Sequence, residues 1–530
     1  MLRKTLAAAA AVLAVSGSAL AASSFPPHRG DSPWSFTVVS EPSDTFVVND
    51  RDSSTIDTYL FRPQGPIVID VRVRRYVGPT DGNGYLQNVD DLVRRGIVAA
   101  NATIRLPAFD VDESTFPIFD CDGDGTDDQL LNEVDEVYFN EEKLGKLKGN
   151  NAIWLAQTFT VPIRKIKFPS SPGGTAVNRI RVDIDVANKD VVLSSGAVGC
   201  EVWAVAVDWI GIQYKASSPV VLVHGIRSSG AVWGNFRAGL TAERVESDNT
   251  INLADPAAPN PLPAGCPDIP YNNTIQNNIA QLKNLVPAIA ERYGTDSIQF
   301  ATHSKGGLDS RGFLSGLVRS PIPVTVGTMS GQPVKRDLEA FSIVTLDTPH
   351  GGSVLAKYGV EARQLSALNA ARAGLNVAAA KSFEGAYYCD LTPARATAFV
   401  AANPLPSVTR GASVAADADR NGNQEIESVE ADGFTGGAWA ANRLYQLIGR
   451  VADVTITVRP RNFLPDEITV TETPNATFLG NDVIVTQSSA GLYPRYPITG
   501  WHHLNVHAQV NATTIARDAQ APGLVDWRAR

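Results

Sequence analysis

Residues 298–307, IQFATHSKGG, limit the possible folds of this chain more than any other stretch. A strand-like run, Ile298 to Ala301, stops at Ser304, two glycines follow, and a helix begins near that serine. A strand that turns so sharply into a helix holds the serine on a strained tip, with the next N–H at the helix start. Gly306 and Gly307 supply the room where helix and strand pass closely.

The flanking sequence repeats this strand-and-helix alternation. VVLVHG, ending at Gly225, is a continuous apolar strand of the kind buried on both faces. In 272–294, Ile275, Ile279, Leu282, Leu285 and Ile289 recur at near-helical spacing, Pro287 predicts a kink and Gly294 an end. A further strand covers 342–346. Strands alternating with helices imply a parallel α/β sheet. Residues 34–214 follow a different rule. IVIDVRVRRYV and NRIRVDIDVA alternate apolar and charged positions, EVWAVAVDWIGIQY is a long strand signal, and turn-forming residues separate the runs. That pattern suits an antiparallel β-sandwich. KASSP at 215–219 is the linker, so the chain divides into a segment at 1–21, a β-sandwich at 25–214 and an α/β domain at 218–530. There is no internal repeat and no strong low-complexity tract.

The segment 1–21 has the form of a secretory signal: Arg3 and Lys4, the apolar TLAAAAAVLAV, then ALA at 19–21. It is short for a membrane span, and no later run of about 18 apolar residues follows. A secreted protein, extracellular or periplasmic, is expected. The formal net charge of -9 argues against nucleic acid and anionic membrane surfaces as general partners. Export permits disulfides, and four cysteines allow three pairings. With separate halves, Cys121–Cys200 and Cys266–Cys389 are the natural pairs. No C-x-x-C pair suggests zinc.

A hydroxyl nucleophile needs a base, an acid that orients the base, and donors for the developing oxyanion. Around Ser304 the pattern is G-x-S-x-G with Thr302 in the first position. A helix-capping serine would look similar. His224-Gly225 follows a buried-type strand upstream, where a second backbone donor belongs. The N–H groups of Ile226 and Lys305 are the candidate oxyanion donors. PVVLVHG, THSKGG and VTLDTPHGGS occur in the order found in secreted bacterial lipases and esterases of the α/β-hydrolase superfamily, and the chain resembles that family over roughly 218–520. Departures are Thr302, Lys305, where many relatives are apolar, and Asp347.

The resemblance implies a late histidine as base. Of seven histidines, His28 lies near the start, His224, His303 and His350 sit inside motifs, and WHHLNVH offers His502, His503 and His507. His503 best matches the family's spacing. GNDVIVTQSSAGLY is similar to the lipase segment carrying the acid, which selects Asp482, with Asp347 as rival. The implied chemistry is acyl transfer: His503 takes the Ser304 proton, Ser304 attacks an ester carbonyl, and water releases the acid.

Two acidic loops suggest a structural Ca²⁺. In DCDGDGTDD, Asp120, Asp122 and Asp124, with Asp127 or Asp128, are candidate ligands, although Leu131 stands where a closing Glu belongs. In DADRNGNQEIESVE, Asp417, Asp419 and Asn421 lie in register, the twelfth position is Ser428, and Glu427 or Glu430 would have to close the site. A solvated acidic turn would look the same. Segments 248–270 and 353–400 are candidate walls or a lid for an ester or lipid substrate, with transient contact at a lipid interface. No protein partner is evident. The alternatives are a polyester depolymerase or amidase on the same machinery, and a surface-binding protein on an inactive hydrolase scaffold.

Overall fold

The computed structural model describes residues 43–48 and 58–506, apart from 254–273, 378–386 and internal stretches of one to four residues. The expected signal segment 1–21, His28, Cys266, His507 and most of 248–270 lie outside the described residues.

The first half builds two antiparallel sheets. One has the order Ser43–Val48, Ile210–Lys215, Asn101–Phe109, Ala204–Val207, Thr58–Phe61, and Trp154–Pro162 also pairs with Asn101–Phe109. The other has the order Ile67–Val73, Ala176–Asp183, Glu136–Phe139, Glu142–Lys146. IVIDVRV alternates strictly between buried and exposed positions, as a strand with one face on a core must. Ile104 and Leu106 of the first sheet and Val137 and Phe139 of the second share one apolar core. A Cys121–Cys200 disulfide fastens the 118–129 hairpin to the segment before Ala204.

The second half builds a six-stranded sheet in the order Ser247–Asp248, Val220–Val223, Ser297–His303, Glu339–Leu346, Arg410–Asp417, Arg495–Thr499. Every pairing in it is parallel. Val220–Val223 is buried at all four positions and Glu339–Leu346 at seven of eight, because helices and the first half cover both faces. The helix Ile275–Tyr293 starts at Thr274, whose side chain accepts the N–H of Asn277, and ends at left-handed Gly294. Pro287 lies inside it. The helix Lys305–Arg319 follows the strand Ser297–His303 directly. Two antiparallel hairpins, Pro323–Met329 with Gln332–Asp337 and Val451–Arg459 with Glu467–Pro474, complete this half.

The halves share their main core. Val220, Leu222, Trp233 and Phe236 cluster with Ile104 and Val205. The Arg75 guanidinium donates to the Ser217 carbonyl at 2.6 Å, and the N–H of Tyr76 donates to Tyr293 at 3.1 Å. Parallel strands bring their carboxyl ends to one edge, where ligands bind in sheets of this kind. Gly225, Ser304 and Asp347 all stand just beyond such ends.

Candidate active site

Ser304 occupies a backbone conformation that serine rarely takes, φ 54° and ψ −133°. It is the last residue before the helix Lys305–Arg319 and is almost wholly buried. Strain of this kind, on the order of 1–3 kcal/mol, persists only where the surroundings enforce it. The two glycines of the motif are part of that enforcement. A Cβ on Gly306 would strike the His224 carbonyl, and one on Gly307 would strike the Thr348 side chain. Thr302 fits because its hydroxyl turns away from the elbow and donates to the Val344 carbonyl at 3.2 Å.

His503 faces this serine. Its Nε2 lies 2.8 Å from Ser304 Oγ, and its Nδ1 lies 2.6 Å from Asp482 Oδ2. A carboxylate can only accept, so Nδ1 carries the proton and Nε2 presents its lone pair to the serine hydroxyl. Asp482 is held in turn: its Oδ1 accepts the N–H groups of Ile484 at 2.9 Å and Val485 at 2.5 Å. The N–H of His503 donates to the Asp482 carbonyl at 2.9 Å, so acid and base loops are tied through their backbones as well. Val483, next in the chain, has φ 77° although it is β-branched and buried. Burial pushes the Asp482 carboxyl up to about 7, against the pull of the Val485 and Ile484 N–H groups. Burial also pushes the His503 imidazole down to about 4. Both shifts favour a neutral imidazole, the form that accepts a proton.

The other histidines have different places. His502 turns away, its Nε2 at 2.7 Å from the Asp432 carbonyl. His350 lies edge-on to Tyr493, and burial pushes it down to about 3. His224 braces the loop after Val220–Val223: its Nδ1 is 2.7 Å from the Gly225 carbonyl, and its Nε2 accepts the N–H of Leu253 at 2.9 Å. His303 was not singled out by sequence, yet its Nε2 is 2.9 Å from the His503 carbonyl, and the two rings are 5.0 Å apart. Its position directly before the nucleophile was the available signal.

The loop carrying Ile226 passes beside the serine, so closely that a Cβ on Gly225 would lie 2.7 Å from Ser304 Cβ. Lys305 opens the helix, where the first N–H groups lack intrahelical partners. Its side chain runs inward, away from any ligand, and its Nζ pairs with Asp309 at 2.6 Å, both residues being 2 % exposed or less. Asn278 donates to the other Asp309 oxygen at 2.6 Å. Asp347, the rival acid, is not hydrogen-bonded to His503, but one of its oxygens, one of Asp482 and a ring nitrogen of His503 lie within 4.8 Å of one another.

The two acidic loops lie elsewhere. One oxygen each from Asp120, Asp122 and Asp124 falls within 4.8 Å of the others. Asp128 is engaged structurally, accepting the N–H groups of Cys121 at 2.9 Å and Ser194 at 2.7 Å. In the second loop Asp419 accepts from the N–H groups of Asn421, Gly422 and Gln424. Asp417 accepts from the Asp419 N–H at 3.3 Å and from Tyr445 at 2.9 Å. With Asp419 as first residue the twelfth is Glu430, which accepts the N–H groups of Arg420 and Glu427. Of the remaining pair of cysteines, Cys389 is disulfide-bonded, and Cys266 lies outside the described residues.

No known protein family and no curated protein matches this chain by sequence. Among solved structures, the mature Bacillus licheniformis lipase BlEst2 overlaps 58% of this chain and 91% of its own, at 16% identity and a TM-score of 0.35. Staphylococcus hyicus lipase overlaps 57% and 94%, at 15% identity and 0.32. EstA from Clostridium botulinum overlaps 60% and 89%, at 13% identity and 0.32. Overlaps this loose decide neither fold nor chemistry.

Proposed function

We propose that the chain is a serine hydrolase that cleaves carboxylic esters, with lipids as the expected substrates, on an α/β-hydrolase domain at 218–530. The observation that carries this is the imidazole of His503 set between Ser304 Oγ at 2.8 Å and Asp482 Oδ2 at 2.6 Å. In the proposed cycle His503 Nε2 takes the Ser304 proton as Oγ bonds to the ester carbonyl carbon. The N–H groups of Ile226 and Lys305 hold the oxyanion. The alcohol leaves with the proton, and water attacks the acyl-enzyme with His503 again as base. Asp482 fixes the imidazole tautomer and stabilises the imidazolium that forms.

The test is hydrolysis of p-nitrophenyl esters, from short to long acyl chains, by the purified protein and by Ser304→Ala. Activity in the parent and at least a thousandfold loss in the variant is the expected result. A parent inert on every chain length, with calcium present, would sink the proposal and bring forward an amidase, a polyester depolymerase or a surface-binding scaffold.

The antiparallel half at 25–214 is proposed as a β-sandwich module that supports the catalytic half through their common core. Export by the 1–21 signal would place the protein outside the cytoplasm. Asp120, Asp122 and Asp124 have the hard oxygen donors and spacing for a structural Ca²⁺, and Asp419, Asn421 and Glu430 are the corresponding set in the second loop. Chelation should then lower the melting temperature, and re-added Ca²⁺ should restore it. An unchanged melting curve would exclude a stabilising ion.

A further inference from the structure

Asp347 ends the strand Glu339–Leu346, immediately behind the acid of the proposed triad. It is fully buried and sits at φ 46°, a left-handed conformation that Asp and Asn tolerate better than most residues. Its N–H donates to the Val414 carbonyl at 2.9 Å, and its Oδ1 accepts the Ala416 N–H at 2.6 Å. Its Oδ2 is buried and has no donor among the described residues. What it does have nearby is a second buried carboxyl, that of Asp482, and the imidazole of His503. The charged and titratable groups bearing on the pair are Asp482, His503 and Asp417, at the end of the neighbouring strand Arg410–Asp417. None of these is a resident cation. Two ionised carboxylates cannot share such a place without a proton or a metal between them.

We propose that Asp347 is a positioning residue that carries a proton on Oδ2 and donates it in a hydrogen bond to the Asp482 carboxylate, so that the buried pair holds one negative charge directed at His503. Asp482 Oδ1 is already held by two backbone N–H groups, and Oδ2 takes the imidazole proton. A neutral donor behind it would anchor the carboxylate without a competing charge. Burial, followed by the charge of Asp482, pushes the Asp347 carboxyl well above its ordinary range, in the same direction. The inference rests on Asp482 being the triad acid.

The test pairs Asp347→Asn with Asp347→Gly. Asparagine keeps a donor for Asp482 and an acceptor for Ala416, and it tolerates the backbone conformation. Glycine removes the side chain without adding backbone strain. At pH 8, the infrared difference spectrum of parent minus Asp347→Asn should show the carbonyl stretch of a protonated carboxyl. With a cleaved ester, Asp347→Gly should lose roughly tenfold to a hundredfold in kcat with little change in KM. Asp347→Asn should recover most of that loss and leave the acid limb of the kcat/KM profile where it lies in the parent. Absence of the carboxyl band overturns the proposal. So does an Asp347→Gly variant, folded by circular dichroism, with the parent's kcat. An acid limb moved downward by about one pH unit in Asp347→Asn would mean that a charge had been removed beside His503. A stoichiometric divalent metal in the purified protein would mean that an ion, not a proton, neutralises the pair. If the parent cleaves no ester, the triad assignment fails on that assay, whereas the infrared band still decides whether Asp347 is protonated.

Discussion

Both halves of this molecule bury carboxyl groups, and among the described residues the proposed site alone sets one of them against an imidazole that faces a serine hydroxyl. In the antiparallel half Glu133, Asp135 and Asp185 lie together, with Asp135 Oδ1 accepting the Asp185 N–H at 2.9 Å. Burial pushes Glu133 up to about 11 and Asp135 up to about 7. In the parallel half Asp347 and Asp482 are just as buried. The difference is an imidazole and a hydroxyl in line with one of the oxygens. Most positive-φ residues of the first half, Asn88, Asp110, Asn140 and Asp185 but not Glu141, are types that accept the conformation at a turn. At the site they include Ser304 and Val483, which do not accept it readily. Perturbed acidity alone is therefore a poor marker of function in this fold. Perturbed acidity beside an enforced, strained serine is a better one.

The largest effect should come from removing the charge at one acid cluster and not at the other. Asp482→Asn should lower kcat by roughly 10⁴ and leave the protein folded, because the amide no longer selects the imidazole tautomer that accepts the serine proton. Asp135→Asn should leave kcat at the parent value. Equal losses in both variants would show that the halves do not differ as argued. The pH profile sharpens the contrast. His503 must be neutral to act as base, and burial holds its proton affinity down to about 4. Burial also pushes Asp482 up to about 7, and a protonated Asp482 no longer fixes the tautomer, so activity should decline as pH falls below about 7 and be gone by about 4. Full activity held down to about pH 5 would mean that Asp482 keeps its charge despite burial.

Much of the contrast between halves is legible in the sequence, because it follows from strand periodicity. IVIDVRV announces one buried face, and VVLV announces two. The motif order pointed to Ser304, Asp482 and His503, and those three meet in space. The contacts that spacing leaves hidden depend on strand order. Asp347 comes near Asp482 because its strand neighbours Arg410–Asp417, just after which the Ala418 N–H donates to the Asn481 carbonyl. His303 reaches the His503 carbonyl across 200 residues of chain. In the second acidic loop Asp417 accepts from Tyr445, whose position in the following helix the motif does not specify.

One ion pair from each half extends the comparison, and here the expected effects are smaller. Lys305 and Asp309 form a pair at 2.6 Å that is sealed from solvent in the first turn after Ser304. Burial pushes the Asp309 carboxyl up to about 6 even against the Lys305 charge. Lys305→Leu removes that charge and leaves the carboxyl stranded, so urea unfolding should report a loss of about 3–5 kcal/mol. Adding Asp309→Leu should recover most of it, since two apolar side chains no longer need each other's charge. Arg179 and Asp70 lie at 2.8 Å on the outer face of the antiparallel half, with about half of each side chain in water. Arg179→Leu should leave stability almost unchanged, because water solvates Asp70 as well as the guanidinium does. A loss at Arg179 as large as the loss at Lys305 would mean that the outer face of the first half is covered by something in solution. A negligible loss at Lys305 would mean that water reaches Asp309 and that the floor beneath Ser304 is not dry.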